Sequence, residues 1–162
     1  MAVDSQWSNV VLLLPLSSDL LDAKGHTVTA AGGAALSSAV GNPFGAGNAL
    51  SLDGSTKYLT IADSADFTLS AGDFTVEAWV RFVSHASNMV IIGQRVASTT
   101  DHSFTIEYNS GAAGIRFSYT TNGTSNTTVD RSWSPSDGVW YHVAVIRVGT
   151  TVRIKIDGVQ IG

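Results

Sequence analysis

The residues able to do chemistry in this 162-residue chain are few, and their spacing suits binding better than bond breaking. Glycoside hydrolysis needs two carboxylates flanking the scissile bond, roughly 5–9.5 Å apart. Residues two apart on a strand share a face, so an acidic pair at that spacing would serve. The only glutamates are Glu77 and Glu107. Glu77 is followed on its own face by Trp79 and Arg81, and Glu107 by Asn109. Asp63 and Asp66 form an acidic pair in a polar stretch that reads as a loop, where they cap turns. The four histidines, His26, His85, His102 and His142, stand at no metal-ligand spacing. His85 and His102 read as loop residues, and His142 as a packing residue that begins a strand. Without cysteine there is no thiol catalysis, thiolate metal site or disulfide. No Gly-x-Ser-x-Gly elbow is present, although a triad built from distant partners stays open. The aromatics are better placed, because the apolar face of a sugar ring stacks on them. Trp79, Trp133, Trp140, Tyr108, Tyr119 and Tyr141 are available. Trp133, in the loop signal Arg131-Ser132-Trp133-Ser134-Pro135, is the exposed candidate, while Trp79 and Tyr141 read as wall or core. Trp133, Trp79 and Tyr119 are the candidate carbohydrate-binding residues.

The elements that must position these residues are strands. Charged residues make up 14% of the chain, against about 25% in typical domains, and long surface helices depend on Glu and Lys. Phe74, Val76, Ala78, Val80 and Phe82 alternate with Thr75, Glu77, Trp79 and Arg81, the period of two of a half-buried strand. Further strand signals are Val10–Leu14, Thr27–Thr29, Ala49–Leu52, Tyr58–Ile61, Met89–Ile92, Ser103–Tyr108, Ile115–Tyr119, Thr127–Arg131, Tyr141–Val148 and Val152–Ile156. A short strand near Ala35–Leu36 interrupts a Gly-, Ala- and Ser-rich stretch, and Val159–Ile161 has room for no more than a stub. Gly149-Thr150 and Asp157-Gly158 mark tight hairpin turns. Ser17–Ala23 is the best helical window, one or two turns at most. The expected core is Phe74, Val76, Val80, Phe104, Ile106, Ile115, Phe117, Val143, Val145, Val152, Ile154 and Ile156. Many short strands joined by such turns indicate an all-β sandwich or barrel.

The formal net charge is −4, with nine Lys and Arg against thirteen Asp and Glu and no basic stripe. Nucleic acid and anionic membrane are therefore not expected partners. Val10–Leu14 follows a segment with an acid and no base, so it does not read as a signal peptide. It is also too short to span a bilayer. Asn122-Gly-Thr and Asn126-Thr-Thr fit the glycosylation pattern but read as turn residues.

Four segments in order resemble the laminin-G-like domains of the concanavalin-A-like lectin/glucanase superfamily. They are Leu21–Thr29; Leu50–Gly54 with Lys57–Ile61; Gly72–Val80; and Trp140–Val145 with Ile156–Gly158. The opening, Trp7 followed by Asn9–Leu14, resembles the start of such domains in bacteriophage structural proteins. The resemblance implies a two-sheet antiparallel jelly roll, with residues 1–162 as one domain and ligands across a concave sheet or at its rim. The glucanase branch carries a Glu–x–Asp–x–Glu run that is absent here, so no enzymatic activity is expected. The resemblance also implies strands beyond Asp157-Gly158, the last of them beside Val10–Leu14. The chain is therefore expected to be an incomplete domain with an unpaired edge.

Asp19–Gly25 resembles the loop that helps hold calcium in some relatives, which makes Asp22, with Asp53 approaching it, the candidate metal ligands. The alternative is that both form turns, and Lys24 inside the loop competes with a cation. The expected function is a non-catalytic carbohydrate-binding or adhesive module of a virion or cell surface, its partner a glycan or host-surface polysaccharide. The rivals are a structural virion protein that binds other virion chains and a degenerate glycanase.

Overall fold

A computed structural model of the protein describes residues 5–45, 47–69, 72–95, 102–120, 122 and 125–162. It is all-β with antiparallel pairing, as expected; among the described residues the helical content is two 3-10 turns, Trp7–Asn9 and Ala65–Phe67. The chain divides into two compact units, Met1–Phe67 and Thr68–Gly162.

The first unit holds two small ladders. β1 (Val28–Ala31) pairs with β4 (Tyr58–Ile61), and β2 (Ala35–Ser37) pairs with β3 (Ala49–Ser51). The turn after β1 needs glycine. Gly32 has φ +62°, and a Cβ there would collide with the Thr56 carbonyl. Two expectations fail in this unit. Val10–Leu14 joins no ladder, and Val11 and Leu13 are exposed rather than buried. The Leu13 amide donates to the Asp22 carboxylate and its carbonyl accepts from Ala23, so these groups are not free for a neighbouring strand. Ser17–Ala23 forms bends and a turn, not a helix. There the Asp19 carboxylate accepts the Leu21 amide and Asp22 accepts the Lys24 amide, local bonds that compete with helical ones.

The second unit is a two-sheet sandwich. Its strands are β5 (Phe74–Arg81), β6 (Met89–Arg95), β7 (His102–Asn109), β8 (Gly114–Thr120), β9 (Asn126–Ser132), β10 (Trp140–Val148), β11 (Thr151–Ile156) and the stub β12 (Val159–Gln160). One sheet has the order β12-β11-β10-β5 and the other β6-β7-β8-β9. His102, expected in a loop, opens β7. The β11–β12 turn is Asp157-Gly158 with φ +49° and +80°, the positive pair a two-residue hairpin requires.

All twelve expected core residues lie in or against one apolar cluster between these sheets, and Phe82 and Tyr108 join it. Phe117, Ile115, Val145 and Ile154 are fully buried. The alternation along β5 and the register on β10 leave Thr75, Glu77, Trp79 and Arg81 on the outer face. No helix among the described residues is long and apolar enough to cross a membrane.

Candidate functional site

On the outer face of the first sheet, Trp79 lies opposite His142 of β10, Arg81 opposite Trp140, and Glu77 opposite Ala144. On the next strand, Lys155 lies opposite Ala144 and Arg153 opposite Ile146, while Gln160 of β12 lies opposite Lys155. Trp79 is 41% exposed, which corrects its reading as wall or core: the strand's alternation turns it away from the apolar cluster. The His142 ring sits 5.2 Å from the Trp79 ring, tilted by 41°, and its Nε2 is 3.4 Å from Glu77 Oε2. The Asp157 carboxylate accepts the His142 amide at 2.8 Å, fixing the end of β10 against the β11–β12 turn. An exposed indole is thus flanked by an imidazole and a carboxylate, an apolar platform with hydrogen-bonding groups at its edge.

Trp133 follows β9 in a loop, as expected, but it is not the freely exposed aromatic the loop suggested. Its ring packs edge-on against Tyr141 at 5.0 Å and against Phe82 at 6.0 Å. Its amide donates to the Ala113 carbonyl. Tyr141, expected as wall or core, packs against the same core, and its hydroxyl accepts the Ser136 amide. The cluster lies under two loops joined by His85, whose Nδ1 is 2.6 Å from Asp137 Oδ1, and by the Gly138 amide bonded to the Phe82 carbonyl. Trp133 therefore seals one end of the sandwich. Tyr119 stacks on Phe117 at 5.4 Å and belongs to the core-facing side of β8. The structure does not bring Trp79, Trp133 and Tyr119 onto one surface of their sheets: Trp79 faces outward, while the other two pack against the core.

The outer face of the second sheet carries a self-paired charged cluster. Glu107, Arg116 and Asp130 lie side by side on β7, β8 and β9. Arg116 grips Asp130 with two bonds, 2.7 and 3.0 Å, and its Nη1 is 3.8 Å from Glu107. The pairing holds the Asp130 carboxyl below the usual carboxylate range and raises the Arg116 guanidinium.

In the first unit Asp22 and Asp53 are turn centres. Asp22 is buried. Its Oδ1 accepts the Leu13 and Lys24 amides, and its Oδ2 accepts the His26 amide and faces His26 Nδ1 at 2.6 Å. Burial works against the charged form, but these donors outweigh it and bring the carboxyl down to about 2. Asp53 accepts the Lys57, Ser55 and Thr56 amides and the Thr56 hydroxyl, which hold it far below the ordinary range. Calcium needs oxygen lone pairs aimed at one point, and here N–H and O–H donors take them. Among the described residues no group of three or more His, Asp and Glu side chains is placed to hold a metal ion. This donor set fits a calcium ion poorly. His26 also reaches Asp66, Nε2 to Oδ2 3.1 Å, and lies against the Phe67 ring at 4.8 Å. Facing two carboxylates, it is held above its ordinary value, the Asp22 bond contributing most. Asp63–Asp66 was expected only to cap turns, and the His26 bridge had no signal in sequence because the partners lie 40 residues apart.

His142, Arg153 and Lys155 were also missed as neighbours of Trp79. The alternation that places Glu77 beside Trp79 was visible, but the cross-strand register that adds the others was not.

A family model described as the concanavalin A-like lectin/glucanases superfamily matches residues 53–162, more than half of the chain. No curated protein matches. Among solved structures, the chain is similar to an S-layer domain-containing protein (residues 221–444) from Clostridium thermocellum. The identity is 28%, over 93% of this chain and 67% of that one, with a TM-score of 0.49, a likeness too loose to assign anything by.

Proposed function

The chain belongs to the concanavalin A-like lectin/glucanase superfamily, and we propose that it is a non-catalytic carbohydrate-binding module whose contact surface is the outer face of the β5–β10–β11 sheet. The observation that carries this reading is Trp79: a large aromatic, 41% exposed, with the His142 ring tilted against it and Glu77 reaching that imidazole. The indole offers the flat apolar surface on which a sugar ring stacks, and the two polar groups offer a donor and an acceptor for ring hydroxyls. Support for a non-catalytic role comes from how the other acids are engaged. Glu107 and Asp130 both flank Arg116, and Asp22 and Asp66 both hold His26. For the setting we propose the surface of a virion or cell, supported by the resemblance of the opening segment alone. Calcium forms no part of this reading.

The test is a glycan array followed by calorimetry on the best ligand, with Trp79→Ala and Trp133→Ala in parallel. Binding should be lost in the Trp79 variant and kept, in folded protein, in the Trp133 variant. Equal binding by wild type and Trp79→Ala would sink this face as the site. Release of reducing sugar from a bound glycan would sink the non-catalytic reading.

A further inference from the structure

The face around Trp79 differs in charge from the chain as a whole. Over the full sequence acids outnumber bases, thirteen to nine. On this face Arg81, Arg153 and Lys155 stand against Glu77 and Asp157. The two carboxylates are engaged, Glu77 with His142 and Asp157 with the His142 amide. Arg81 is partly engaged, its Nε donating to the Gly138 carbonyl at 2.8 Å. Among the described residues, Arg153 and Lys155 have no hydrogen-bond or ion-pair partner for their side chains. The second sheet shows the opposite arrangement at Arg116, which is closed off between two acids, Glu107 and Asp130. Two unpaired cations on the strand next but one to an exposed tryptophan are what an anionic ligand would find.

We infer that this face takes an acidic glycan, one whose rings carry carboxylates as uronic acids do; the inference rests on the carbohydrate-binding reading above. Trp79 is on β5 and Lys155 on β11, two strand spacings of about 4.8 Å apart and two residues along, in the row of Glu77 and Ala144. One ring of the polymer stacks on Trp79, and the carboxylate of a neighbouring ring reaches Lys155 and Arg153. Arginine meets a carboxylate with two parallel N–H bonds, and lysine adds a point charge. Ala144, between Glu77 and Lys155 in the register, has no side chain long enough to close off the path across the sheet.

The test compares polygalacturonate with its fully methyl-esterified form, the same backbone with its charge removed. Calorimetry is run with wild type, Trp79→Ala, Arg153→Gln, Lys155→Gln and the Arg153→Gln/Lys155→Gln double variant, each checked for an unchanged melting temperature. The glutamines keep much of the stem and remove the charge, and the single variants are read should the double variant not fold. The expected result is at least about a fivefold preference for the acid over the ester, the scale of partly exposed charge pairs. That preference should shrink with salt and fall towards one in the double variant. Equal binding of acid and ester, both lost in Trp79→Ala, would overturn the acidic-glycan inference and leave the carbohydrate reading standing. So would Trp79-dependent binding of neutral glycans alone. Binding of dextran sulfate as tight as that of the acid would show simple polyanion attraction and overturn the inference as well. Failure to bind any glycan would remove both readings together.

Discussion

The two compact units of this chain are held together by different means. Thr68–Gly162 packs two four-stranded sheets over an apolar cluster in which Phe117, Ile115, Val145 and Ile154 are fully buried. In Met1–Phe67 the buried apolar side chains among the described residues are Ala34 and Ala49, and Val11, Leu13, Leu21 and Phe44 are exposed. Its structure is organised by charged turn centres: Asp22 holds the Leu13, Lys24 and His26 amides, Asp53 holds the Ser55, Thr56 and Lys57 amides, and His26 bridges Asp22 and Asp66. Alternating apolar residues can build a core wherever two sheets face each other. Where the strands are only three or four residues long, as in β1–β4, hydrogen-bonded carboxylates set the chain path instead.

The sharpest way to break this contrast is at Phe117. Phe117→Ala removes a fully buried ring that touches Phe74, Phe104 and Tyr119 and should cost about 3–5 kcal/mol, read as a lower denaturation midpoint. An unchanged midpoint would mean that the face assignment of β8 is wrong. Trp133→Ala should cost about 2 kcal/mol, less than a fully buried aromatic because the ring is only half-buried at the end of the sandwich. A neutral result there would return Trp133 to the surface.

The polar unit is probed at Asp22. Asp22→Ala leaves the Leu13, Lys24 and His26 amides without their acceptor and should cost about 2 kcal/mol, the scale of hydrogen bonds to a charged group. Faster hydrogen exchange at those three amides is the readout. If only the Lys24 amide responds, the carboxylate is a local turn-former and not the centre of the unit.

His26 makes the contrast depend on pH. Only the imidazolium can donate from both ring nitrogens to Asp22 and Asp66. Its folded value lies above the ordinary 6.5. The clasp's contribution is therefore fully present below 6.5 and is lost as the pH rises through the raised folded value. Asp22 runs the other way. With its folded value at about 2 against 3.8, its contribution is present above 3.8 and is lost as the pH falls through about 2. An NMR titration of the His26 ring should show a midpoint above 6.5 that drops in Asp66→Asn. A midpoint indifferent to that substitution would break the bridge. The smallest effect on stability should come from Trp79→Ala, within about 0.5 kcal/mol because the ring faces away from the core, although the same change should abolish glycan binding.

Read alone, the sequence determined the strands and the core, because both are written in local pattern. The period of two from Phe74 to Phe82 says which side chains of β5 point inward, whatever lies opposite. Gly149-Thr150 and Asp157-Gly158 pin two hairpins because few residues adopt the turn those positions need. Pattern went wrong where partners decide the outcome. Val10–Leu14 is apolar enough for a strand, but a strand exists only with a ladder, and its Leu13 amide and carbonyl are bound to Asp22 and Ala23. Trp133 sits in a loop as its neighbours say, yet Tyr141 and Phe82 receive its ring. The neighbourhood of Trp79 was decided by the pairing of β5 with β10. Glu77 and Trp79 share a face by alternation, and the Gly149-Thr150 turn fixes Lys155 and Arg153 opposite Ala144 and Ile146. Strands β5 and β10 are not joined by a turn, so nothing local in the sequence records that His142 lies across from Trp79 and brings β11 two strands away; the packing of the folded sheet decides it.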